Sequence, residues 1–184
     1  KAIKIKKKDI LINLDKQLTK ENLRYFNYLV RQRSKRAPIA YLINKKEFWK
    51  DEFYVSEDVL IPRPDTEIIV EQALSLTKHK SQLSILDIGV GSGCIILSIL
   101  KERKSFYGTG IDVSKKSIKI CKINSNKLGV NSRLKLFESD VDNFDYGKYD
   151  LIISNPPYIN KLDLQYLEND VINFEPINAL DGGL

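Results

Sequence analysis

The sequence predicts an α/β fold, a doubly wound, mostly parallel sheet preceded by a small helical module and a β-hairpin linker. Three observations carry that prediction. From Leu83 onward, short apolar runs alternate with longer amphipathic stretches, the pattern of parallel strands joined by crossover helices. A glycine-rich segment, Gly89-Val90-Gly91-Ser92-Gly93, joins the first of those runs to its helix. Asn155-Pro156-Pro157-Tyr158 stands where the last apolar run stops.

Taken in order, residues 1–45 read as helical. Thr19 can cap a helix that carries Leu23, Phe26, Leu29 and Val30 on one face. That helix has Arg31, Arg33 and Arg36 near its end and stops before Pro38; a short apolar segment, 39–43, follows. Residues 46–64 change character. Glu47-Phe48-Trp49 and Phe53-Tyr54-Val55, separated by polar Lys50-Asp51-Glu52, read as a hairpin. Pro62 and Pro64 then stiffen a connector into which the domain boundary falls, dividing the chain into 1–45, 46–64 and 65–184. Asp65 or Thr66 is expected to cap the helix through Ile68, Ile69, Val70, Ala73 and Leu74. Strands are expected at 83–88, 106–111, 134–137 and 149–154, and helices at 91–100 and 114–128.

Composition narrows the function classes. The 184 residues suffice for one domain with a sizeable core and a small extra module. No apolar run approaches membrane-spanning length, and no charged-then-apolar leader opens the chain. Cys94 and Cys121 are the only cysteines and form no CxxC pair, so a reduced, cytoplasmic protein is expected, with Cys94 as a small core residue. His79, the only histidine, lies in a polar stretch, which argues against a histidine metal site or a catalytic triad; no metal is expected. The net charge is +6, with Lys4, Lys6, Lys7 and Lys8 clustered at the start. That cluster reads as a solvated basic end in preference to a nucleic-acid footprint. The chain lacks Met and ends in the turn-like Asp181-Gly182-Gly183-Leu184, so it reads as a fragment cut at both ends.

The chemistry gathers at strand ends. Two successive prolines fix two φ angles and remove two donors, and each pushes the residue before it to extended geometry. The Asn155-Pro156-Pro157-Tyr158 loop is therefore stiff, with a held Asn side chain and unspent carbonyls. An amide oxygen and a loop carbonyl together suit a planar NH2 group, and the tyrosine ring offers it a face. The bland alternative is a proline-stiffened turn. The loop 89–93 presents amides at a helix start, as ligand-binding turns do. Its spacing is GxGxG with Asp87 two residues before the first glycine, and that acid suits a ligand bearing an ammonium group better than a pyrophosphate. Asp112 ends the second strand, where a carboxylate can accept from a ribose diol, and Asp140 ends the third. One such match is weak; four at the same sheet edge are strong.

This pattern is similar to that of the class I S-adenosylmethionine-dependent methyltransferases, whose fold is Rossmann-like. More narrowly, Glu47-Phe48-Trp49, the segment 60–67, the GxGxG loop, residues 155–159, Phe174-Glu175-Pro176, Ala179-Leu180 and Gly182-Gly183 occur in the order found in the HemK/PrmC protein-(glutamine-N5) methyltransferases. Arg33, Arg36, Pro38, Tyr41 and Leu42 fit the end of that family's N-terminal helical domain, and Asn44 stands where the family often has glycine. The resemblance implies a partial N-terminal substrate-recognition module, a sheet whose C-terminal strands are missing, and S-adenosylmethionine as cofactor. It implies methylation of the Gly-Gly-Gln glutamine of peptide-chain release factors by a cytoplasmic monomer, with no membrane and no stable nucleic-acid complex.

By the same resemblance, Asn155 and the Pro156 carbonyl hold the glutamine NH2 while Pro157 and Tyr158 pack on its plane; Asn155, Pro156 and Tyr158 are the catalytic residues. The cofactor is held by Thr66, Asp87, Gly89, Val90, Gly91, Ser92, Gly93, Asp112, Asp140, Val141 and Asn155, with Arg63 and Pro64 closing over it. Two other readings stay open: an adenine-N6-type nucleic-acid amino-methyltransferase, which would flip its base into the pocket, and a ribosomal-protein glutamine methyltransferase. A non-catalytic binding fragment is a fourth reading, from a different class.

Overall fold

In the computed structural model, residues 17–183 are described. The basic cluster at Lys4, Lys6, Lys7 and Lys8 lies outside them.

The sheet is built of β3 (Ser84–Ile88), β4 (Tyr107–Asp112), β5 (Leu134–Glu138) and β6 (Leu151–Ser154), all parallel, in the order β5-β4-β3-β6. The helices α4 (Cys94–Glu102) and α5 (Lys115–Lys127) are the crossovers from β3 to β4 and from β4 to β5. The order reverses between β3 and β6, and such a reversal opens a crevice at the carboxyl ends of the strands. Every strand expected from the sequence is present, with ends shifted by a residue or two. The helix expected from Gly91 starts at Cys94, because Gly93 takes the left-handed conformation at φ 81° and caps it. Only glycine suits that position: a Cβ there would lie 2.6 Å from Cys121 Sγ and 2.8 Å from Leu97 Cδ1.

Before the sheet come α1 (Lys20–Ser34), α2 (Ile39–Ile43), the hairpin β1 (Lys46–Phe48) and β2 (Asp51–Phe53), and α3 (Glu67–Leu76). Thr19 caps α1 as expected, its hydroxyl accepting from Asn22 N–H at 3.1 Å. The apolar face expected on α1 is not buried against the described residues: Leu23, Phe26 and Val30 are each nearly half exposed. Asn44 follows α2 at φ 55°, a left-handed position that asparagine tolerates, and its side-chain amide donates to Val55 O at 3.2 Å.

The hairpin is tighter than expected. Its turn is Trp49-Lys50, and Lys46 pairs with Phe53 and Phe48 with Asp51. That register puts both phenylalanines on one face, where they pack edge to face and join the same buried cluster as Ile96, Leu97 and Leu100. Trp49 sits at φ 55°, a strained conformation for a bulky residue, and it is secured by Glu67, which accepts its N–H at 2.7 Å, and by Glu102, which accepts its indole N–H at 3.0 Å. The expected side-chain cap of α3 by Asp65 or Thr66 is absent. A turn of 3-10 helix over Pro64–Thr66 runs directly into α3 in its place, started by Pro64, whose ring fixes φ. Among the described residues, no helix is long and apolar enough to cross a membrane, and no cluster of His, Cys, Asp and Glu could hold a metal ion.

Candidate active site

A cavity of about 350 Å3 opens at the carboxyl ends of the strands, beside the β3–β6 reversal. Its floor is the loop after β3: Gly89, Val90, Gly91 and Ser92. Asp112 lines it from the end of β4, and Asp140 and Val141 from the segment after β5. Asn155, Pro156 and Pro157 close it after β6, while Arg63 and Thr66 reach in from the connector. A second cavity of about 350 Å3 shares Arg63, Thr66, Asn155 and Pro156 with the first and adds Tyr158 and Ile159. Most of the residues that sequence reasoning assigned to two ligands line two adjoining chambers, with Asn155 and Pro156 in the lining of both. No hydrogen bond from a described residue holds the Asn155 side chain, and Tyr158 is 79% exposed.

The glycine loop differs from the expected cradle of free amides. Gly89 and Val90 N–H both donate to Ile111 O at 2.9 Å, Gly91 N–H donates to Asp112 Oδ2 at 2.9 Å, and Gly93 N–H to Val90 O at 2.7 Å. Three of these amides hold the loop to β4 and the fourth closes the loop on itself, so the glycine amides are already bonded. Asp112 also accepts from Ser114 N–H at 2.8 Å through its other oxygen, so its carboxylate is locked with lone pairs to spare. Asp140 accepts the backbone N–H and side-chain amide of Asn143, each at 2.8 Å, which fixes the turn after β5.

Two residues expected at the ligand lie behind the cavity wall. Gly93 faces the core, for the packing reason given above. Asp87 is 1% exposed and is not part of the lining; neither of its oxygens makes a hydrogen bond of ordinary geometry with a described residue, although the Ile96 N–H faces the carboxyl. Burial, opposed by the Ile96 N–H and reinforced by the Asp112 charge, pushes its carboxyl up to about 8. Pro64 lines neither cavity. Cys94 packs against the core as expected and, half-buried, also reaches the cavity wall, with its thiol pushed up to about 12 by burial and so held neutral.

Two residues went unassigned from the sequence. Asn124 on α5 is fully buried; its amide oxygen accepts Tyr54 N–H at 2.7 Å, and its NH2 donates to Tyr54 O at 3.0 Å and Ser92 O at 2.8 Å. It joins the residue after the hairpin, α5 and the glycine loop. Nothing in a polar helical run such as Asn124-Ser125-Asn126 marks which amide turns inward. Glu175 is 7% exposed and binds the connector. Its place in Phe174-Glu175-Pro176 was the available signal.

A family profile described as "Methyltransferase small domain" matches residues 66–173, the segment that holds the sheet, the glycine loop and Asn155. The chain belongs to that family. A second profile, "PrmC N-terminal domain", matches residues 1–43. Curated relatives include the "Release factor glutamine methyltransferase" of Buchnera aphidicola from Acyrthosiphon pisum, 43% identical over 89% of this chain and 58% of that one. The proteins of the same name from Caulobacter vibrioides and Geobacter sulfurreducens are 36% and 39% identical over 99% of this chain and 63% of theirs. The chain thus spans about three fifths of the length of these relatives. A solved RNA methyltransferase from Salinibacter ruber is 19% identical with a TM-score of 0.45, covering 63% of this chain and 72% of that one.

Proposed function

We propose that the protein transfers a methyl group from S-adenosylmethionine to the side-chain amide nitrogen of the glutamine in the Gly-Gly-Gln motif of peptide-chain release factors. The observation that carries the reading is the position of Asn155, unheld by any described residue, on the boundary of two cavities. The names of the relatives supply the substrate class.

The residues present fit the cofactor. The first cavity is of ligand size. Asp112 keeps lone pairs for a ribose diol, and Asp140 and Val141 border the place an adenine would take. The glycine loop, its amides spent on β4, suits a ligand without phosphates. Asp87, a buried carboxyl whose oxygens make no hydrogen bond of ordinary geometry with a described residue, keeps acceptor capacity behind that loop that an ammonium would balance. When bound, S-adenosylmethionine supplies an already activated methyl group.

The chain's own residues then have to position an amide nitrogen, a poor nucleophile because its lone pair is conjugated. The Asn155 oxygen and the Pro156 carbonyl accept from its two hydrogens, favour a more tetrahedral nitrogen and stabilise charge as it develops on N–H. Pro157 and Tyr158 pack on the amide plane. Arg63 and Thr66 line both chambers and exclude water from the junction. No general base is needed, since the nitrogen sheds its proton once cationic. Residues 1–45 act as part of a substrate-recognition module, 46–64 as hairpin and connector, and 65–184 as the cofactor-binding part of a cytoplasmic, monomeric enzyme.

The test is methyl incorporation from labelled S-adenosylmethionine by the full-length protein, with a release factor, a ribosomal protein fraction and duplex DNA as competing acceptors. Label in the release factor alone is expected. Label in the DNA or ribosomal protein alone would overturn the substrate assignment.

A further inference from the structure

Residues 174–183 touch both walls of the cleft. On one side they pair with the chain just after the Asn155–Tyr158 loop: Ile159 N–H donates to Leu180 O at 3.1 Å, Gly182 N–H to Ile159 O at 2.8 Å, and Lys161 N–H to Gly183 O at 2.9 Å. On the other side Glu175 reaches the connector. One carboxylate oxygen accepts Ile61 N–H at 3.1 Å, and the other accepts the Arg63 guanidinium at 2.5 Å. Between these anchors, Pro176, Asn178 and Ala179 line the first cavity, and Ala179 and Leu180 the second.

We propose that Glu175 is a positioning residue that latches the 174–183 strap to the connector, so that the connector wall and the Asn155–Tyr158 wall of the cleft take up their geometry together. The latch rests on contacts in this chain; what it serves rests on the methyl-transfer reading above.

The Glu175 side chain is only 2% exposed, and a carboxylate so placed is costly unless its oxygens are filled. Both are filled by connector groups and neither by the strap's own backbone, so the connector decides where the strap sits. The Ile61 N–H gives this contact a direction that the half-exposed Arg63 alone would not. The nearby Arg33–Asp170 pair, at 3.7 Å just before the strap, is partly exposed on both sides and contributes little. Opening the latch would send the carboxylate toward water and carry Pro176, Asn178 and Ala179 off the cavity wall. A site that is competent only when latched binds more weakly in proportion to the latched fraction.

The test uses the full-length protein and its Glu175→Gln variant, which keeps the shape but removes the charge and faces Arg63 with a donor. Hydrogen exchange without ligand reads the latch: peptides covering 58–63 and 174–181 should both exchange faster in the variant, while those covering β3 and β4 stay as in wild type. Calorimetry with S-adenosylhomocysteine reads what the latch serves, and a Kd raised ~10-fold or more is expected. Wild-type exchange and affinity in the variant would overturn the proposal, as would equal acceleration in the strands. Should the variant fail to fold, the wild type alone decides the coupling: S-adenosylhomocysteine must slow both peptides together, and protection of only one refutes it. A wild type that binds no S-adenosylhomocysteine overturns the cofactor reading, and the unliganded exchange result then judges the latch alone.

Discussion

The two halves of the cleft are built differently. The cofactor half, after β3 and β4, is fixed by short connections within the sheet: Gly89 and Val90 to Ile111, Gly91 to Asp112, Asp112 to Ser114, and Asn124 beneath Ser92. The acceptor half, after β6, has an exposed tyrosine and an asparagine that no described residue holds, and the chain just beyond it is paired with the 174–183 strap. The first half is part of the folding core. The second is a stiff loop leaning on a distant segment. Damage to the first should therefore appear as lost stability, and damage to the second as lost transfer with the fold intact.

The largest expected effect tests the first half. Asn124→Ala strands the Tyr54 N–H, Tyr54 carbonyl and Ser92 carbonyl in the interior, at about 1–3 kcal/mol for each group that water cannot reach. Chemical denaturation should show a fall of several kcal/mol, and an unchanged midpoint would break the comparison at once. Next comes Asn155→Ala, which should raise the transfer barrier by roughly 2–4 kcal/mol while S-adenosylhomocysteine affinity stays within several-fold. Single-turnover kinetics with calorimetry checks this, and comparable turnover in mutant and wild type would sink the role.

Gly182→Ala sharpens the contrast. An added Cβ would lie 3.0 Å from both Pro157 O and Tyr158 Cα, backbone atoms that cannot swing aside. The strain, about 1–3 kcal/mol, should displace the Asn155–Tyr158 loop, so turnover is expected to fall more than the melting temperature does. A loss in melting temperature alone would count against a strap-positioned loop.

Asp87→Asn is read as a slope. Burial raises the Asp87 carboxyl from 3.8 to about 8, so the unliganded fold favours its neutral form. That contribution is fully present below the unfolded value near 3.8 and is lost as pH rises through about 8. Wild type should therefore lose stability between these values relative to Asp87→Asn, as melting temperatures across the range would show. Parallel curves for the two proteins would refute it.

The same division explains what the sequence made legible. All four strands of the sheet, both crossover helices and the strand-end acids Asp112 and Asp140 stand out, because apolar periodicity and glycine spacing are local signals. The hairpin register did not: Phe48 and Phe53 are paired by a shared core that lies elsewhere in the chain. The inward turn of Asn124 and the aim of Glu175 are likewise set by partners 32–114 residues away. Asp87 was recognised as significant, but its place behind the wall depends on how the loop folds over it. Thr19 shows the opposite case, a side chain whose role follows from its own turn.

The most direct measurement is peptide mass spectrometry of a purified release factor after incubation with the full-length protein and S-adenosylmethionine. One added methyl on the Gly-Gly-Gln glutamine is the predicted result, absent when Asn155→Ala replaces the wild type. An unmodified glutamine from a protein shown to bind S-adenosylhomocysteine would contradict the account.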